Sequence, residues 1–202
     1  TWMGLCHGWS PASFMMPNPK KKVVVTTTAG DMTFYPSDIK ALGTLLWAKG
    51  SFKSRFIGGR CNSKEPKTDP MGRPIEQDCL DTNPGTWHMA IVNQIGQFDH
   101  AFVMDATYDY QVWNQPVYGY QYTYYNPITG KAAATLNEAM INKTNWPADP
   151  RKSVRAVDAK SIVGIKMTVT YIIENSPSMV EDQPTEFTTT EYDYDLELNG
   201  EL

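Results

Sequence analysis

No stretch of this chain approaches the roughly 20 consecutive apolar residues that a membrane-spanning helix requires, which leaves no candidate for a helical span. The first residues lack the basic-then-apolar layout of a signal peptide, and the chain opens on Thr1 and not on Met. That start reads as a processed or trimmed product of a longer precursor. Basic runs are scarce too. Lys20, Lys21 and Lys22 form the longest, and with a net charge of -4 nothing draws the chain toward nucleic acid, so these lysines read as solvated surface. Neither an internal repeat nor a clear linker is present. Cysteine and histidine are each limited to three, so every one of them carries information.

What is present is an ordinary globular composition. A chain of 202 residues, 41% hydrophobic and 20% charged, can bury one sizeable core, and residues 1–202 are expected to form a single domain of that longer precursor. Cys6, Cys61 and Cys79 are odd in number, so one must stay free or pair between molecules. Cys61 and Cys79 flank CNSKEPKTDPMGRPIEQDC, a segment too polar and too rich in Pro and Gly to hold a shape by packing. A disulfide closing that loop would contribute about 3 kcal/mol on the chain-entropy estimate, and two buried free thiols are the alternative. A structural disulfide implies an oxidising compartment, hence secretion or the periplasm. Cys6 is then the free thiol.

The run KVVVTTTAG is β-branched and ends in Gly30, as a strand and turn would be. In YPSDIKALGTLLWAKG, Pro36 suits a first helical turn, Ile39, Leu42, Leu45 and Leu46 recur on one face, and Gly50 provides the stop. WHMAIVNQIG and HAFVMDATYDY are apolar runs separated by a turn-like stretch, which predicts an antiparallel hairpin. Further strands are expected over 112–124 and in SIVGIKMTVTYIIEN and TEFTTTEYDYDLEL, with a short helix in TLNEAMIN. Helices early and strands late indicate an α+β domain built on an antiparallel sheet. The acidic alternation in EYDYDLELNGEL reads as the wet face of a strand, since calcium ligands must converge in space.

The sequence TWMGLCHGWSPAS sets Cys6 between Gly4 and Gly8, which suits a cysteine at a helix N-terminus, where the macrodipole favours the thiolate, although Pro11 limits an ordinary helix there. A thiol nucleophile needs a base and a group to orient it. His7 adjoins Cys6, and consecutive helical residues point apart; His100 follows Asp99 in a turn-like stretch and reads as solvated. His88, at the start of an apolar run expected to be a strand, is the strongest base candidate. Asp105 ends the partner run 17 residues later, where a carboxylate emerging from a buried strand calls for a partner. On residues alone, a Cys6, His88, Asp105 triad and a merely structural His88 both stand.

The strings CHGW, NPGTWHMAIVNQIG, VMDATYDY and VWNQPVYGYQYTY resemble the transglutaminase elicitor family, the secreted transglutaminases of Phytophthora and their bacterial relatives. The resemblance runs from Cys6 through Trp113 and, more weakly, to the C-terminal strands. It implies a papain-like, transglutaminase-like core, with Cys6 as nucleophile at a helix N-terminus and an antiparallel sheet carrying His88 as base and Asp105 as its orienter. The implied activity is protein-glutamine γ-glutamyltransfer, which crosslinks Gln to Lys side chains through a Cys6 thioester. Trp9 and Trp87, beside nucleophile and base, would wall the lysine channel or else serve as core residues. The Cys6 N–H would share the oxyanion with Trp9, Asn93 or Gln94. Rival readings are a papain-like cysteine protease or amidase, and a catalytically silent, surface-recognised elicitor. Calcium is the one cofactor left open, and the expected partners are protein substrates and an inhibitory N-terminal pro-region. Tyr118 stands where the oomycete surface peptide carries a basic residue, a departure that bears on plant recognition and not on catalysis.

Overall fold

The computed structural model describes residues 4–68, 70, 74–80, 82–106 and 110–200, the side chain of residue 154 excepted. The N-terminal third is helical around one hairpin. Helix α1 (Cys6–Met15) and helix α2 (Pro36–Lys49) pack together, with strands β1 (Val23–Thr27) and β2 (Gly30–Phe34) between them in sequence. The expected boundaries of α2 hold for the expected reason: Pro36 occupies its first turn, where a missing N–H costs nothing, and Gly50 follows its end. The Tyr35 backbone N–H donates to Asp38 at 2.8 Å, which steadies the first turn. Pro11 does not stop α1, which runs four residues beyond it.

The helices approach closely because Gly8 has no side chain. A Cβ there would overlap the Thr44 carbonyl oxygen and the Ala48 side chain and backbone nitrogen of α2.

The C-terminal two thirds form an antiparallel sheet around strand β7 (Ser161–Ile172). On one edge β7 pairs with β4 (Asn114–Tyr125) and, at Ser161 and Ile162, with the short β6 (Ile141–Asn142). Its other edge pairs along its whole length with β8 (Phe187–Leu198), and β4 also pairs with β3 (Val103–Asp105) and β5 (Ala132–Ala133). Being central, β7 is the most buried strand. Its Val163, Ile165, Met167 and Val169 form the core with Ile91, Met104, Val117 and Ala139, each full aliphatic burial stabilising by about 1.5–3 kcal/mol. Gly164 of β7 lies under the Tyr125 ring of its cross-strand partner, space that a Cβ would occupy.

Helix α4 (Leu136–Ala139) is as short as expected. The segment after β6 is pinned to β8 by ion pairs: Arg155 bridges Asp149 and Asp195, and Arg151 also reaches Asp195. Burial alone would lower the Arg155 pKa, but hydrogen bonds to the two carboxylates outweigh it and raise the value. Cys61 and Cys79 are disulfide-bonded and Cys6 is free, as parity and loop composition indicate.

The expected hairpin of WHMAIVNQIG with HAFVMDATYDY is corrected. Residues Pro84–Ile91 form helix α3, followed by a π-helical turn over Val92–Gln97, and only Val103–Asp105 of the second run is strand, Thr107, Tyr108 and Asp109 lying outside the described residues. The reason is local. Asn83 caps the helix by accepting from the Gly85 and Thr86 backbone N–H groups at 3.0 and 3.2 Å, and Pro84 sits at the first helical position. His88 therefore lies on a helix, and Asp105 pairs across the sheet with Asn114. No described helix is long and apolar enough to cross a membrane.

Candidate active site

Cys6 is the first residue of α1, as the glycines and the free thiol suggest. The helix is fixed from two sides: Gly8 seats it on α2, and buried Ser10 donates its hydroxyl to the Asn114 main-chain carbonyl of β4 at 2.5 Å. This clamp brings the start of β4 to the thiol. The Asn114 side-chain nitrogen donates to the Cys6 sulfur at 3.4 Å, and the Val112 carbonyl lies 3.8 Å from that sulfur. One residue away, the Trp113 backbone N–H donates to Asp105 Oδ1 at 2.9 Å, so β3 places a carboxylate beside the same strand end. Trp9, half-buried, stands three residues after Cys6 on α1, a spacing that puts both on one helical face.

The contacts of His88 and Trp87 are with aromatic side chains of the sheet and of the segment before β3. His88 Nδ1 is 2.8 Å from the Tyr194 hydroxyl of β8, and its ring packs edge-on against Tyr122 and Tyr194. Tyr122 stands eight positions along β4 from Asn114, about 26 Å of strand at ~3.3 Å per residue. The structure thus brings Cys6 and Asp105 to the start of β4, while the contacts described for His88 are with Tyr122 and Tyr194. Burial lowers the His88 pKa, favouring the neutral ring; burial, and secondarily Tyr122, raises that of Tyr194. Trp87 packs against Phe102 and Tyr192 at the edge of the core, its buried Nε1 without a hydrogen-bond partner among the described residues.

The other histidines are both exposed: His7 follows Cys6 on α1, and His100 precedes β3, its N–H donating to the Gln94 carbonyl at 2.6 Å and its ring stacked on Phe98. Of the side chains expected as the second oxyanion donor, Asn93 and Gln94 belong to the π-helical turn after α3. The donor on the sulfur is Asn114, which sequence reasoning missed; the polar Asn-Gln pair opening an apolar strand was its only signal. Among the described residues no three His, Cys, Asp or Glu side chains cluster as a metal site would need. Within the acidic alternation of β8, Asp193 pairs with Lys166 at 3.5 Å and Asp195 belongs to the arginine network.

A family model described as transglutaminase elicitor matches residues 1–202. The chain belongs to the transglutaminase elicitor family. Among solved structures this family member is similar to the GP42 transglutaminase from Phytophthora sojae, with a TM-score of 0.59 and 25% identity, over 98% of this chain and 48% of that one. It therefore spans about half the length of that protein. No match to a curated protein was found. The fold expectation stands at this level: a mixed helix and sheet architecture, antiparallel throughout and similar to GP42.

Proposed function

We propose that this elicitor-family protein is a protein-glutamine γ-glutamyltransferase whose nucleophile is Cys6. The observation carrying the proposal is a free thiol at a helix N-terminus, contacted by a side-chain amide, in a chain similar to a solved transglutaminase. Cys6 sulfur attacks the γ-carboxamide carbon of a protein-bound glutamine and forms the C–S bond. The C–N bond then breaks, and ammonia leaves with the proton that the base took from the thiol. A lysine amine attacks the thioester, a new C–N bond replaces C–S, and the amine proton returns to the sulfur. Water in place of lysine gives deamidation, so exclusion of water decides the product.

In the triad that the resemblance implies, His88 is the base and Asp105 orients it. The proximity of Asp105 to the thiol supports part of that set, while the His88 bond to Tyr194 weighs against the rest. All three histidines therefore enter the test. Trp9, on the thiol's helical face, is the better supported of the two proposed channel walls, because Trp87 packs into the core. The disulfide supports secretion. Gln and Lys side chains are the proposed partners, together with an inhibitory pro-region that would cover Cys6, His88, Trp9 and Trp87.

The test is incorporation of a labelled primary amine into casein by the unaltered protein and by Cys6→Ala, with and without a chelator. Cys6-dependent incorporation supports the transferase. Casein cleavage without incorporation supports a cysteine protease or amidase instead. A second reading, the catalytically silent elicitor, is favoured by the His88 bond to Tyr194 and by two exposed side chains within VWNQPVYG: Trp113 is 43% exposed and Tyr118 65%, the latter beside a break in register between β4 and β7. Under that reading neither protein incorporates amine.

A further inference from the structure

We infer that Asn114 is a catalytic residue of this acyl transfer, its side-chain amide donating to the Cys6 sulfur and holding it as the attacking thiolate. The inference rests on Cys6 being the nucleophile of the proposed transfer. Asn114 Nδ2 is 3.4 Å from the sulfur, and a thiolate accepts from an amide N–H more strongly than a neutral thiol does. The amide is also held in place. The Ser10 hydroxyl anchors the Asn114 main-chain carbonyl, Asp105 is its cross-strand neighbour, and Asp105 in turn fixes the backbone N–H of Trp113. Such support from rigid elements is what an attacking group requires of the residue that positions it.

A donor is needed there because the other polar group on the sulfur works the opposite way. The Val112 carbonyl can accept from a thiol S–H but repels a thiolate. Among the described residues, His7 follows the thiol on α1 and Asp105 on β3 is the cross-strand neighbour of Asn114.

The experiment is the pH dependence of iodoacetamide alkylation of Cys6 in the unaltered protein, Asn114→Ala and Asn114→Asp. Both variants keep the Ser10 bond, since it uses the main chain, and circular dichroism together with an intact disulfide verifies the fold. Asn114→Ala is expected to move the alkylation midpoint upward by about one pH unit, slowing alkylation about tenfold below it. Asn114→Asp, of the same size but presenting an acceptor, is expected to move it further. An unchanged midpoint in either folded variant overturns the inference. Alkylation needs no base and no glutamine, so a protein that shifts as expected but incorporates no amine defeats the transferase reading and leaves the thiolate contact standing. Cys6-dependent incorporation with an unmoved midpoint does the reverse.

Discussion

Replacing Gly8 with alanine tests whether the α1–α2 crossing is what fixes the thiol. On an exposed helix the change stabilises, because glycine costs about 1 kcal/mol relative to alanine in a helix interior. At this crossing the new Cβ would meet the Thr44 carbonyl oxygen, the Ala48 nitrogen and the Ala48 Cβ, and none of these has a rotamer through which it can withdraw. One helix must therefore shift. Inserting a methyl into a packed contact costs about 1–3 kcal/mol, and with backbone as the obstacle the upper end applies. Subtracting the helix-propensity gain leaves a net loss of about 2 kcal/mol, or roughly 4–8 °C in melting temperature for a chain of this size. Because Gly8 is two residues from Cys6, the same shift draws the sulfur from Asn114, so alkylation and amine incorporation should fall as well. The assay pairs urea melts with both activities and uses Gly4→Ala, where a Cβ meets nothing within 4 Å among the described residues, as a neutral control. A Gly8→Ala protein about 1 kcal/mol more stable than its parent would refute the crossing.

Single replacement of each histidine by alanine should identify the base: amine incorporation collapses in one variant by a factor of 100 or more, a loss typical of general-base removal. Because burial lowers the His88 pKa below its ordinary 6.5, the unfolded chain binds the proton more readily. Stability is then lost as pH falls below about 6.5 and recovers above it, and His88→Gln should shrink the difference between urea midpoints at pH 7.5 and 5.5. Opening the Cys61–Cys79 bridge should cost at most about 3 kcal/mol, since the mainly exposed loop it closes gains freedom in the folded state too; hydrogen exchange in the first turn of α3 should rise, while an unchanged pattern there would separate the bridge from that helix. Arg155→Met should destabilise by about 3–5 kcal/mol in thermal melts, since it strips the main partner from Asp149, whose side chain is 1% exposed, whereas a loss within experimental error would show the network to be dispensable.

The parts of the fold that depend on local order were readable along the chain. Pro36 and Gly50 bound α2, the β-branched runs became β1 and β7, the alternation in TTTEYDYDLEL became β8, and cysteine parity with loop composition gave the disulfide. WHMAIVN was misread because a seven-residue apolar run fits either period, and the deciding signal lay just before it in Asn83 and Pro84, a helix cap and first turn that outweigh the pattern which follows. That one error moved His88 from a strand beside Asp105 to a helix over the tyrosines of β4 and β8. The site divides in the same way. Cys6 at a helix start could be inferred from its neighbours, whereas its contact with Asn114 spans 108 residues and depends on Gly8, Ser10 and the start of β4 coming together. No spacing rule encodes such a meeting. A sequence can show which residues have the chemistry to act on a thiol, but which of them reaches it is decided by helix packing, here through a glycine and a buried serine hydroxyl that carry no catalytic signature of their own.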